Sequence, residues 1–312
     1  MTLLWVLVLL FAIGLLTKGA DFVLDSAQKI GTWFGLSAFG AGAIIIGSLT
    51  SLPDLVAAFV AQLQGASDIV TGTAIGANIA DILLIAGIIA ILARGVQIVS
   101  DDITFDVSWL LVATGALVVM MLDGVVQTGE SFFLLTLLVL YFLTTYAIGR
   151  EKKKSGEHIE KVVLTRKDIV LLGLGFSFLI VGAHLAVDAA IHLAEIFNIS
   201  TGIIGLFAIA LGTTLPEFFV TIRSANGHQA PLAIGNIFGS NVLNALAVVG
   251  VPGLLGPIVS DNVTETLGVS VMVLVTILFA WMVLVRKRIT KTEGLLFLVG
   301  YLVFTLLAAG IL

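Results

Sequence analysis

One polar motif is written twice in this chain, 163 residues apart, and each copy sits inside long apolar runs. The first copy is Thr50-Ser51-Leu52-Pro53-Asp54 with Gly72-Thr73-Ala74-Ile75-Gly76-Ala77-Asn78-Ile79-Ala80-Asp81. The second is Thr213-Thr214-Leu215-Pro216-Glu217 with Gly235-Asn236-Ile237-Phe238-Gly239-Ser240-Asn241-Val242-Leu243-Asn244. No gap interrupts the register, and the same offset pairs Gly19 with Gly182, Ala20 with Ala183 and Asp25 with Asp188. The two halves therefore share one local structure, and the fold must accommodate carboxylates, amides and hydroxyls at matched places in apolar surroundings.

Of the 312 residues, 59% are hydrophobic and 11% charged, a balance far outside that of a soluble domain. The expected class is an all-α polytopic membrane protein. Crossing the hydrocarbon core takes about 20 mostly apolar residues. Polar clusters divide the chain into ten such runs, near 3–28, 38–63, 69–94, 104–122, 131–149, 168–194, 200–224, 231–256, 266–285 and 293–311. Residues 151–166 are a charged linker between two five-span halves, 1–150 and 167–312, whose motif regions are 47–81 and 210–244. The first run has no basic flank and no cleavage signature, so it reads as a retained span. Cysteine is absent, which excludes disulfides, thiolate metal sites and cysteine nucleophiles.

Basic residues predict the sidedness. Loops after spans 1, 3, 5, 7 and 9 hold Lys29, Arg94, the linker cations, Arg223, Arg286, Lys287, Arg288 and Lys291, which is every Lys and Arg except Lys18. The opposite loops carry Asp68, Asp123, Glu130, Glu195, Asp261 and Glu265 and no cation. By the positive-inside rule both termini lie outside and the linker is cytoplasmic. Five spans per half invert the second half relative to the first. The expected architecture is ten transmembrane helices as two inverted-topology five-helix repeats, a plan that marks secondary transporters.

Pro53 and Pro216 fall inside spans 2 and 7, where each removes a backbone donor and crowds the carbonyl four residues earlier, those of Leu49 and Gly212. Such a carbonyl must be satisfied by protein, water or an ion. Helical spacing puts Thr50 with Asp54, and Thr213 with Glu217, on matching faces. Asn236, Ser240 and Asn244 form a stripe in span 8, matched by Thr73, Ala77 and Asp81 in span 3. Carboxylates inside a membrane are costly and mark an ion or proton path. The available ligands are all oxygen, which suits hard cations such as Ca²⁺, and no His or Cys cluster favours a transition metal. Gly72, Gly76, Gly235 and Gly239 are expected to let the motif helices approach closely. Lys18, near Asp21 and Asp25, reads as part of a structural ion pair.

Gly212-Thr213-Thr214-Leu215-Pro216-Glu217 and Gly235-Asn236-Ile237-Phe238-Gly239-Ser240-Asn241 resemble the alpha repeats of the cation/calcium antiporter superfamily, the sodium/calcium exchanger type in particular. The resemblance implies that Asp54 and Glu217 bridge a central Ca²⁺, helped by the carbonyls of Thr50 and Thr213. It implies Ser51, Thr214 and Ser240, with the carbonyls of Gly47 and Ala210, as Na⁺ ligands, and spans 1 and 6 as the moving gate. The first copy departs from the family pattern. Asp54 replaces the commoner Glu, Thr73 replaces Asn, and Ala77 replaces a Ser that supplies a hydroxyl.

Asp54, Asp81 and Glu217 supply three negative charges, with neutral Asn244 opposite Asp81. Three Na⁺ balance them, as do one Ca²⁺ and one proton, and the second case places the proton on Asp81. The metal-site expectation thus comprises Gly47, Thr50, Ser51, Asp54, Asp81, Ala210, Thr213, Thr214, Glu217, Ser240 and Asn244. The reading is an alternating-access antiporter exchanging Ca²⁺ for Na⁺, with H⁺-coupled exchange as the alternative and a cation channel as the competing class. No enzyme, resident cofactor or nucleic-acid partner is expected. The expected setting is a prokaryotic inner membrane, where the protein works as a monomer in contact with lipid and with Ca²⁺ and Na⁺.

Overall fold

The computed structural model describes residues 2–92, 95–97, 103–154, 163–196, 214–225, 230–260 and 264–310. In the first half the helices are α1 (Thr2–Phe34), α2 (Ala38–Leu63), α3 (Ser67–Leu92), α4 (Ile103–Met120) and α5 (Thr128–Lys154). The second half has α6 (Arg166–Ile196), α7 (residues 214–225), α8 (Pro231–Leu254), α9 (Thr264–Arg286) and α10 (Lys291–Ala308). Among the described residues, nine of these are long and apolar enough to cross a membrane; α7 is described only in its second part. The helix of α5 continues through Glu151-Lys152-Lys153-Lys154, good helix formers that prolong it into the stretch read as linker.

Helix ends follow local chemistry. Gly35 and Gly65 adopt φ of 83° and 77°, the left-handed conformation that stops α1 and α2 without a side-chain penalty. Ser37 caps the start of α2, its hydroxyl accepting the Gly40 N–H at 3.1 Å. At α10 the Thr290 hydroxyl accepts the Glu293 N–H at 3.3 Å, while the Glu293 carboxylate accepts the Thr290 N–H at 2.8 Å. Glu130 makes the corresponding bond to the Gln127 N–H at 2.7 Å, 163 residues earlier.

The repeat is inverted, and four short strands show it. β1 (Val96–Gln97) pairs antiparallel with β4 (Arg288–Ile289), and β2 (Val125–Val126) pairs antiparallel with β3 (Ile258–Val259). β1 and β3 belong to equivalent connections of the two halves, as do β2 and β4, yet each strand pairs with the non-equivalent one. Because α4 crosses between β1 and β2, the two small sheets lie at opposite ends of the bundle. Equivalent connections therefore face opposite ways.

Two packed clusters fill the interior. One gathers Phe39, Ile75, Ile79, Leu110, Phe238, Leu246 and Phe279 from α2, α3, α4, α8 and α9. The other holds α1 against α6 through Ala12, Leu16, Ala20, Val23, Leu179 and Ala183, and reaches α2, α7 and α8 through Ile46, Val220 and Leu232. Helices α1 and α6 run antiparallel: Trp5 stacks on His192 at 3.8 Å between ring centroids, and Lys29 bonds Asp168 at 2.8 Å at the other end. A Cβ added at Gly19 would lie 2.8 Å from the Gly175 carbonyl oxygen, so this seam depends on glycine. Asp21 of α1 accepts Arg223 Nε of α7 at 2.8 Å and lies 3.7 Å from Lys18, which places Lys18 in the expected ion pair. Helix α8 is buried along its length, while α1, α5, α9 and α10 turn large apolar side chains such as Leu7, Phe11, Phe132, Leu274 and Leu302 outward to lipid.

Candidate ion-binding site

The site begins with a break in α2. Regular α-helix covers Gly47–Thr50, pauses at Ser51 and resumes over Leu52–Leu63. Ser51 donates its N–H to the Gly47 carbonyl at 3.0 Å and accepts the Leu55 N–H at 3.0 Å. Pro53 thus stands in the first turn of a new helical segment, where its missing N–H costs nothing, and Asp54 occupies the electropositive end of that segment. The expected freed carbonyl is realised as a restart of the helix and not as a simple kink. In α7, Pro216 and Glu217 lie in helix within the described residues 214–225.

A wider helical turn marks the partner helices. Asp81 and Asn244, equivalent across the repeat, each open one turn of π-helix, Asp81–Ile85 and Asn244–Val248. Such turns insert a residue into a helix and recur at functional sites. Others lie at Gly42–Ile46, just before the break in α2, and at Thr264–Gly268 and Met282–Arg286 in α9.

Thr50, Ser51 and Asp54 of α2, Asp81 of α3, Thr214 and Glu217 of α7, and Ser240 and Asn244 of α8 are all buried, and Thr50 meets Ser240 across the repeats at 3.4 Å. Gly47 packs against α8, where an added Cβ would lie 2.9 Å from the Ser240 nitrogen. Asp54, Asp81 and Glu217 feel one another's charge, and the Glu217 carboxylate lies beside the Thr50 hydroxyl. Ala210 and Thr213 lie outside the described residues.

Hydrogen bonds subdivide the site. Thr50 Oγ1 contacts the Ile46 carbonyl at 3.1 Å, Asn236 Oδ1 at 3.2 Å and Ser240 Oγ at 3.4 Å. Asn236 Nδ2 donates to Thr221 Oγ1 at 3.0 Å, and Thr221 Oγ1 donates to the Glu217 carbonyl at 2.5 Å. Asp81 Oδ2 accepts Asn241 Nδ2 at 3.2 Å. Among the described residues no three Asp, Glu or His side chains group into a metal cluster.

What remains unpartnered is informative. Ser51 Oγ, both carboxylate oxygens of Glu217, and the amide oxygens of Asn241 and Asn244 are buried and accept no hydrogen bond from a described residue. Buried polar atoms are ordinarily paired, and atoms left over near an acidic centre need another occupant. Every one of these can donate a lone pair, as a hard cation requires.

Thr221, Asn236 and Asn241 complete the arrangement. The sequence signal for Thr221 is its position one helical turn beyond Glu217 in an apolar run, and nothing repeats it because Ala58 stands at the equivalent place. The paired glycines divide: Cβ atoms at Gly235 and Gly239 would overlap the carbonyls of Phe39 and Ala43. Gly72 has only Thr264 Oγ1 at 3.8 Å, and Gly76 meets no described atom within 4 Å, so the close approach expected there is not formed among the described residues.

Ten helices in two inverted sets, each delivering a buried carboxylate to a common centre, define a secondary cation transporter. The sequence model of the family described as "Sodium/calcium exchanger protein" matches residues 4–147 and again 167–310, two segments separated by the repeat offset. The chain belongs to this family. It is 33% identical over 282 residues to the inner membrane protein YrbG of Escherichia coli, spanning 87% of this chain and 86% of that one. It is 26% identical to the sodium/calcium exchanger MaX1 of Methanosarcina acetivorans, over 96% of each. The solved structure of the sodium-calcium exchanger NCX_Mj without Na⁺ and Ca²⁺ superposes with a TM-score of 0.81 at 28% identity, covering 97% of this chain and 98% of that chain.

Proposed function

We propose that the protein exchanges Ca²⁺ for Na⁺ across a prokaryotic inner membrane by alternating access, as a monomer, with both termini outside and the linker cytoplasmic. Ca²⁺ is the substrate, not a resident cofactor, and the role is transport and not catalysis. The observation that carries this reading is the set of buried, unpartnered oxygens of Ser51, Glu217 and Asn244, with Glu217 within reach of the charges of Asp54 and Asp81. Asp54 and Glu217 would hold Ca²⁺ from the two repeats. Ser51, Thr214 and Ser240, with the Gly47 and Ala210 carbonyls, would hold Na⁺. The names of MaX1 and NCX_Mj as sodium/calcium exchangers support the same choice of ions.

Coupling to H⁺ is the second reading, favoured by Ala77, which removes a hydroxyl from a Na⁺ site, and by the extra buried carboxylate of Asp81. Purified protein in liposomes, with the membrane potential clamped, separates the two. Ca²⁺ uptake should follow an outward Na⁺ gradient and fail with an outward H⁺ gradient alone. The opposite result assigns H⁺ coupling, flux needing neither gradient indicates a channel, and no uptake under either removes the exchanger reading. Asp81→Asn should alter the pH dependence of uptake; an unchanged profile would take the proton away from Asp81.

A further inference from the structure

We propose that Thr221 and Asn236 form a positioning strut that holds the ion-site oxygens of the two repeats in register. The inference rests on the cation-exchange reading above and deepens it. The strut runs from the Glu217 carbonyl to Thr221 Oγ1 at 2.5 Å, then to Asn236 Nδ2 at 3.0 Å, and from Asn236 Oδ1 to Thr50 Oγ1 at 3.2 Å. Asn236 donates to Thr221 and Thr221 to the backbone of α7, while the single Thr50 hydroxyl proton is shared between Asn236 Oδ1 at 3.2 Å and the Ile46 carbonyl at 3.1 Å. Three side chains thereby tie α2, α8 and α7 together in the helices that carry Asp54 and Glu217.

All three side chains are buried, so water cannot replace a lost bond cheaply. Without the Thr221 hydroxyl, the Asn236 amide loses its acceptor and its amide plane is no longer fixed. Its oxygen then no longer orients the Thr50 hydroxyl, which lies 3.4 Å from Ser240 Oγ. The consequence falls on ligand geometry at the seam between repeats, not on any group that touches the cation directly.

The repeat shows that the strut has one hand. Its equivalents in the first half are Ala58 for Thr221 and Thr73 for Asn236, and Ala58 has no hydroxyl to continue the chain. Packing alone would be served equally by alanine, as it is at Ala58, which is fully buried. The hydroxyl link from Thr221 therefore belongs to the second repeat, at the helix that carries Glu217.

Thr221→Val, which keeps size and shape, and Thr221→Ser, which keeps the hydroxyl, form the test. Ca²⁺-dependent stabilisation against heat and Ca²⁺ uptake into liposomes are measured for each beside the unaltered protein. Thr221→Val should raise half-saturating Ca²⁺ about tenfold while leaving the maximal rate within about twofold, and Thr221→Ser should restore affinity. If Thr221→Val does not fold, Asn236→Thr, which installs the residue of the first repeat, should show the same split between affinity and rate. Unchanged half-saturation, or equal losses of affinity and rate that Thr221→Ser does not rescue, overturns the strut. A change of counter-ion would overturn Na⁺ coupling while leaving the Val-to-Ser contrast in Ca²⁺ affinity intact, so the two ideas fail separately.

Discussion

At the scale of the residue, the proposed exchange rests most on the acid that follows each proline. Asp54 and Glu217 are buried, and the described ion pairs of Lys18, Lys29, Arg223 and Arg286 all go to other acids. On the proposed reading, a transported cation supplies counter-charge at this centre. Removing one carboxylate from a buried ion pair is strongly destabilising, so Glu217→Gln and Asp54→Asn should each lower Ca²⁺ affinity by about two orders of magnitude or more. Uptake and Ca²⁺-dependent thermal shift check this, and near-normal affinity in either variant would remove that residue from the Ca²⁺ site. The burial of these two acids was legible in the sequence because each follows a proline inside an apolar run, at a fixed repeat offset. Thr221 and Asn241 were not, since their partners are set by tertiary packing: Asn241 meets Asp81, 160 positions away.

At the scale of the element, the helices that carry the site are held by backbone-to-backbone approach. Gly42, Gly47, Gly235 and Gly239 make the seam of α2 on α8, and a methyl group on Gly239 would collide with the backbone of Ala43. A main-chain carbonyl cannot rotate out of the way as a flexible side chain can. Gly239→Ala should therefore cost about 1–3 kcal/mol, the range for forced overpacking, and more if the helices part. Gly115→Ala, with no described atom within 4 Å of its added Cβ, should be tolerated. Thermal unfolding in detergent compares them, and equal stability of the two variants would contradict the close seam. Ten spans, their order and most of their limits could be read from hydropathy. The unequal use of Gly72 and Gly76 against Gly235 and Gly239 could not, because the duplicated glycines are identical in sequence and differ only in what the fold places beside them.

At the scale of the whole molecule, the crossed pairing of β1 with β4 and β2 with β3 ties each half to the other at both ends of the bundle. It also makes the inversion a matter of geometry, since strands from equivalent connections sit at opposite ends. The proposed orientation rests on the charge pattern: the end with β1 and β4 carries Arg286, Lys287 and Arg288, and the end with β2 and β3 carries Asp123 and Glu130. The native chain has no cysteine, so single substitutions report position without a background to remove. Asp123→Cys lies just before β2, and Lys153→Cys at the end of α5. In intact cells a membrane-impermeant maleimide should label Asp123→Cys directly and Lys153→Cys only after permeabilisation, because cations are retained on the cytoplasmic face. Reversed labelling would turn the molecule over in the membrane while leaving the inverted repeat as it stands. Labelling of both sites from outside would place the two ends of the bundle on one face, which the single crossing of α5 between them does not allow.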